Sequence, residues 1–242
     1  MALNPIDILK DKVENTTHTV TINSVVSLGG GLYQLNSEYT YYLRTLKKVT
    51  IDAVKYEITD FVINSYITVQ ATSGNDVPVV ATSFTINPPL FKWGSPKLVS
   101  NELIKATTKG DYIWPYIWVV RIDQTKGVLD PASATPETPS FNMLFLDSAN
   151  KQDWTIEDHY EQDIYTLNNY IDFFFTILRT YRDLFDYDSV EYTKTEHVNF
   201  GDYIVDEGNN ANILNDKVTG IQLQIDIPLT ITACNKLQIN RL

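Results

Sequence analysis

His159 stands inside the densest run of carboxylates in the chain, flanked by Asp153, Glu157, Asp158, Glu161 and Asp163. On a helix, His159 and Asp163 share a face, so an imidazole and a carboxylate could bridge a divalent cation. Two ligands do not complete a site, and the rest would have to come from distant segments. The simpler reading is a set of acidic residues on the exposed first turn of a helix, where the helix dipole favours negative charge. A second acidic group, Asp183, Asp186 and Asp188, is interleaved with Phe185 and Tyr187. It lacks the loop pattern of an EF-hand and reads as a solvated helix end.

Other chemistry is equally thin. His18 and His197 lie in polar, strand-like contexts, and the sequence has neither a Gly-x-Ser-x-Gly elbow nor a His-Glu-x-x-His motif. Gly29-Gly30-Gly31 has no following Lys-Ser/Thr, so it reads as a loop and not a phosphate cradle. Trp93, Trp114 and Trp118 with Tyr116 could stack on a sugar. The apolar continuation through Val119, Val120 and Ile122 favours core and subunit interface instead. Cys234, the single cysteine, rules out an intrachain disulfide and any multi-cysteine zinc site. Its strand-like surroundings suggest a small packed residue. Glycosidase-type carboxylates that meet only in three dimensions stay open, because spacing along a chain does not give spacing in space. No residue is assigned a catalytic, cofactor-binding or metal-binding role.

The element that must position these groups is residues 154–186. Apolar residues fall at Ile156, Tyr160, Ile164, Leu167, Ile171, Phe174, Leu178, Tyr181 and Phe185, in steps of three and four that place them on one helix face. Thr155 is a natural N-cap with Asp158 at the N3 position. No Gly or Pro interrupts the run. Unbroken, the helix over 155–186 would be about 45 Å long.

Around it the pattern is β. Residues 3–14 read as a short helix begun by Asn4-Pro5, with Leu3, Ile6, Leu9 and Val13 near one face, or as an arm that orders on a partner. Lys48 to Ile51 and Lys55 to Ile58 read as a hairpin about Asp52-Ala53-Val54. Phe61 to Gln70 and Val77 to Ile86 read as strands, with Pro88-Pro89 as a stop and a short helix over 97–106. A boundary is placed near Gly110. Beyond it come a strand from Tyr116, a long loop over 123–140, a strand over 142–146 and a turn over 147–153. The helix follows, then strands over 189–198 and 200–205, a second long loop over 206–220, and a strand from Ile221 to Ile227. The expected fold is α+β: a helix or arm over 1–16, a mostly-β sandwich or barrel-like region over 17–108, and a mixed sheet packed on one long helix over 109–242.

Lys plus Arg number 19 against 30 Asp plus Glu, a formal charge of −11. A groove that grips phosphates needs the opposite sign. An acidic wall suits a conduit through which DNA slides, as it suits any acidic protein. The 15 tyrosines favour interfaces, since each buries a ring and keeps a hydroxyl wet. No basic region followed by an apolar core opens the chain, and no apolar run approaches about 18 residues, so neither a signal peptide nor a membrane span is expected.

Three segments carry a resemblance. They are Val49-Thr50-Ile51-Asp52 with Tyr56 to Asn64, Phe145-Leu146-Asp147-Ser148-Ala149-Asn150 leading to Trp154-Thr155 and Asp158-His159-Tyr160, and Val218-Thr219-Gly220-Ile221-Gln222-Leu223 through Ile227-Pro228 to Cys234. Together they resemble an uncharacterised family of structural proteins from tailed phages and prophages of Bacteroidota hosts. The strand and helix order after residue 110 is similar to that of tail-terminator or neck-ring subunits. The resemblance implies a non-enzymatic virion protein of the tail or neck, assembled in the host cytoplasm. It also implies a homo-oligomeric ring, six- or twelve-fold, that meets portal, neck or tail proteins while DNA passes through its lumen without sequence-specific binding. The loops over 123–140 and 206–220 would be the arms that reach neighbours. Two alternatives stand beside it: a glycan- or receptor-binding tail module using the Trp/Tyr strand, and a hydrolase whose carboxylates converge in the fold.

Overall fold

The computed structural model describes residues 5–45, 47–74, 77–95, 115–126, 138–148, 154–200, 202–205, 209–212 and 218–228. The first part holds α1 (Pro5–Glu14) and seven strands: β1 (His18–Thr21), β2 (Ser24–Gly29), β3 (Leu32–Asn36), β4 (Lys48–Ile51), β5 (Val54–Val62), β6 (Tyr66–Ala71) and β7 (Ser83–Ile86). Five of them form an antiparallel sheet in the order β2-β3-β6-β5-β4, and β1 pairs with β7 as a separate ribbon. Their inward residues, among them Leu35, Val49, Ile51, Tyr56, Ile58, Ile67, Val69 and Phe84, make one core.

Turn chemistry sets the hairpins. Asp52 and Ala53 both take positive φ, 50° and 64°, which gives the two-residue hairpin between β4 and β5. The stretch Phe61–Gln70, expected as one strand, is instead the end of β5, a turn and β6. Asn64 adopts φ 55° there, a conformation Asn tolerates better than most residues. The Gly29-Gly30-Gly31 triplet is the β2–β3 turn, with φ of 83°, 63° and 79°. Only glycine enters that region without strain. Of the strand expected over 77–86, only Ser83–Ile86 is extended in a ladder.

The second sheet follows the order β11-β14-β10-β9-β8, built from β8 (Leu90–Trp93), β9 (Tyr116–Lys126), β10 (Thr138–Ser148), β11 (Glu191–Phe200) and β14 (Val218–Asp226). A small ribbon, β12 (Asp202–Val205) with β13 (Asn209–Asn212), lies between β11 and β14 in sequence. All pairings in this sheet are antiparallel except β8 with β9. The sheet thus begins before residue 108, and the loop expected over 123–140 gives its ends to β9 and β10. Residues 127–137 and the helix expected over 97–106 lie outside the described residues, as do Trp114, Asp153 and Cys234. β13 and the start of β14 likewise fall inside the loop expected over 206–220. The chain is α+β, a β-rich first part followed by a mixed sheet on a long helix.

That helix differs from the sequence expectation in an instructive way. It consists of α2 (Ile156–His159), a π-helical turn (Tyr160–Ile164) and α3 (Tyr165–Thr180). A π turn inserts one extra residue and rotates the faces on either side of it. After it the expected stripe holds: Ile164, Leu167, Ile171, Phe174 and Leu178 are buried on the second sheet. Before it the stripe is displaced by one position. Ile156, expected inside, is 68% exposed and Tyr160 is also exposed, while His159 turns inward. The helix stops at Thr180, short of residue 186, where Tyr181 leaves helical geometry (φ −102°, ψ 48°). The chain beyond is pinned to the end of β14 by Asp186 N–H donating to Pro228 O at 2.8 Å, which keeps Phe185 in the core without a helix.

α1 packs on this second core. Ile6, Leu9 and Val13 are buried with Phe91 and the helix residues, and Lys12 Nζ sits 4.6 Å from the centre of the Tyr181 ring. At the start of α2, Thr155 accepts from Asp158 N–H while Asp158 accepts from Thr155 N–H, a complete capping box. Those hydrogen bonds hold the Asp158 carboxyl below the usual range. Thr155→Ala removes the side-chain half of the box, and a loss of about 1 kcal/mol in chemical denaturation is expected. Thr155→Asp keeps the acceptor and restores most of it.

Candidate functional site

Acidic residues from the helix and the second sheet meet one arginine from the first half. The loop between β3 and β4 (37–47) carries Leu43 into the first core and presents Arg44 to the second sheet. Arg44, Asp147 on β10 and Asp163 in the π turn are all 0% exposed. Arg44 Nε donates to Asp147 Oδ2 at 3.0 Å and Nη2 donates to Asp147 Oδ1, a bidentate fork. Nη2 also reaches Ser148 O and Oγ at 3.0 and 2.9 Å, and Nη1 donates to Thr45 O at 2.8 Å. Asp163 Oδ1 is 3.2 Å from Arg44 Nε, but that N–H is aimed at Asp147, and the Thr219 hydroxyl is the other polar group beside the carboxyl.

Lys47 forms the second half of the node. It is 2% exposed, and its Nζ donates to Tyr42 O at 2.7 Å and to Tyr170 Oη at 2.8 Å. Next to it, His18 packs on the Tyr42 ring (centroids 4.2 Å apart) and edge-on against Phe173 (4.6 Å). Thr45 donates through both N–H and Oγ1 to Gln162 Oε1 (3.2 and 2.7 Å), and Asn169 Nδ2 donates to Tyr41 O at 2.7 Å. One face of the helix therefore packs on the second sheet. Another, through Gln162, Asp163, Asn169, Tyr170 and Phe173, packs on the 37–47 loop and β1.

Burial dominates the electrostatics. It pushes the Asp163 carboxyl up to about 8; the charge of Asp147 adds to the rise and Arg44 opposes it. Burial pulls the Lys47 ammonium down to about 7, opposed by Asp147 and assisted by Arg44. His18 is held below its usual value, first by burial and then by Lys47.

His159 is buried beside this node. His159 Nδ1 lies 2.7 Å from Thr219 Oγ1, which also reaches Val198 O at 2.8 Å. The Trp154 ring stands edge-on to it at 5.4 Å. The expected exposed acidic turn thus describes Glu157 and Glu161, whereas His159 and Asp163 face inward because of the π turn. Asp147, expected in a turn, lies in β10. No group of His, Cys, Asp and Glu suited to a metal occurs among the described residues. The guanidinium of Arg44 stands where the two carboxylates would otherwise call for a cation.

The other sequence candidates separate. Asp183, Asp186 and Asp188 are exposed, with Arg182 Nη2 3.6 Å from Asp188 Oδ1. His197 Nε2 is 3.3 Å from Gln222 Oε1 on the neighbouring strand. Tyr116 and Trp118 lie in the interior, where Trp118 Nε1 donates to Gly94 O at 3.0 Å; Trp93 is half exposed. These two rings offer no stacking surface. Sequence reasoning missed Arg44, Lys47 and Asp147. The one available signal was a charged residue following the apolar run Met143-Leu144-Phe145-Leu146.

The node is sealed, self-neutralising and shared by both halves of the chain, so its chemistry is cohesion. Compared with family models, curated proteins and solved structures, the chain matches none.

Proposed function

We propose that this chain is a non-enzymatic structural subunit of a tailed-phage tail or neck that assembles into a ring around the DNA channel. The observation that carries the reading is the state of the two sheets. Among the described residues each ends in a strand with a single neighbour: all six residues of β2, and Glu191 to Glu196 of β11, are exposed, although the helix touches one face of β11 through Phe175 against Tyr192 and Asn168 on Lys194. Open strands of this kind are liabilities in a chain that works alone and assets in one that assembles. The buried ionisable groups are consumed in holding the helix to both halves, which suits a rigid building block. The net charge of −11 suits a lumen that does not hold DNA. The sequence resemblance to phage structural proteins names the kind of assembly.

Light scattering on the purified full chain tests this. The expected mass is a fixed multiple of 27.6 kDa, with closed rings in negative-stain images. A strict monomer at micromolar concentration, alone and mixed with portal, neck and tail proteins, overturns the reading.

A further inference from the structure

We infer that neighbouring copies join by pairing the β2 edge of one subunit with the β11 edge of the next, extending the first sheet of one copy into the second sheet of the other. The inference rests on the ring reading and names its interface.

The four sheet edges are not equivalent. β4 lies against β7, and β8 lies under α1, whose Glu14 Oε1 accepts Phe91 N–H at 3.4 Å. Among the described residues β2 pairs only with β3 and β11 only with β14; the helix touches one face of β11 through Tyr192 and Lys194, and no strand pairs with its outer edge. Their exposed runs match in length at six residues, Ser24–Gly29 and Glu191–Glu196. β2 has no charge and no proline, and exposes Val25, Val26 and Leu28, the last at 52%. β11 brings the β-forming residues Tyr192, Thr193 and Thr195. Its ammonium is already engaged, since Lys194 Nζ lies 3.5 Å from Glu196 Oε1 and donates to Asn168 Oδ1 at 2.7 Å.

Charge selects the partner. In a chain of net −11, an uncharged strand is where a second acidic copy can approach without meeting opposed carboxylates. Pairing β2 with another β2 would leave β11 open in both copies. Pairing β2 with β11 covers both edges of every copy through one repeated contact. That contact is heterologous, the kind that closes rings by rotation.

Cross-linking decides it. In a Cys234→Ser background, Val26→Cys or Leu28→Cys is combined with Thr193→Cys or Thr195→Cys and treated with a short bismaleimide. The expected result is a ladder of dimers, trimers and higher species that needs a cysteine on both strands. In parallel, Val26→Lys/Leu28→Lys weakens assembly at least tenfold, whereas Val80→Lys, at an exposed position outside β2 and β11, does not. A product that stops at dimer with a cysteine on one strand alone overturns the inference. An oligomer of native mass that gives no ladder with any combination places the interface elsewhere and leaves the ring reading standing. A monomer overturns both.

Discussion

Arg44→Met is expected to cost the fold about 3–5 kcal/mol, the range for breaking a buried ion pair from one side. For a chain of this size about 1 kcal/mol moves the melting temperature by about 2–4 °C, so a fall of roughly 6–20 °C follows. The loss is not simply that of the Arg44–Asp147 fork. Asp147 would keep only the Lys47 ammonium, which burial already pulls down to about 7, Asp163 would lose the guanidinium beside it, and Ser148 would lose two hydrogen bonds. An ionised Asp147 held dry is expensive, and Asp163, already pushed up by burial, loses the charge that opposed the rise. Arg44 sits on a loop of the first half and its partners on β10 and the helix. The variant should therefore unfold in two steps where the wild type unfolds in one. Removing the charges together tests the cause: Arg44→Met/Lys47→Met/Asp147→Asn/Asp163→Asn leaves no uncompensated ion among these four and should recover most of the lost stability. If Arg44→Met melts within 1 °C of the wild type, the node does not hold the halves together.

Much of this architecture was legible from periodicity. The β4–β5 hairpin, the central strands β9, β10 and β14, the capping box at Thr155 and the helix stripe from Ile164 to Leu178 all follow from spacing and local turn chemistry. The π turn does not. A 3.6-residue pattern assumes one register along the whole helix, and nothing in Tyr160–Ile164 announces an inserted residue. That single insertion exchanged Ile156 and Tyr160 for His159, and it set Asp163 in the node where an exposed first turn was expected. The node was hidden for a different reason. Arg44 and Asp147 are separated by more than a hundred residues, and each taken alone reads as a surface charge or a turn. Only the fold brings them together, and only the pairing makes their burial tolerable. Phe61–Gln70 failed locally: seven β-prone residues in ten conceal a hairpin, because only Asn64-Ser65 marks the reversal.

The pH dependence of the node separates burial from charge pairing as the force acting on Asp163. Its carboxyl is raised in the folded chain, to about 8, from 3.8. Stability contributed by such a group is fully present below the unfolded value and is lost as pH rises through the folded one. Between those limits the folded chain holds a proton that the unfolded chain has released, so stability falls by up to about 1.4 kcal/mol per pH unit. Asp163→Asn mimics the protonated acid and releases nothing. Relative to wild type, its unfolding free energy should therefore rise steadily from pH 4 to pH 8, by roughly 5 kcal/mol at most over the window. Lys47 runs the other way. Its folded value is depressed to about 7 from 10.5, so its contribution is present above 10.5 and is lost as pH falls through 7. Lys47→Met should gain on the wild type as pH falls from 10.5 to 7 and then level off. Both variants are read by urea denaturation across pH, each as a difference from wild type so that the surface carboxylates cancel. The opposed slopes meet between pH 7 and 8, where the wild-type node is least favourable. A flat Asp163→Asn difference from pH 4 to 8 means that Asp163 is ionised throughout in the folded chain. Arg44 would then outweigh burial, and the node would be a conventional three-member salt bridge instead of one carrying a trapped proton.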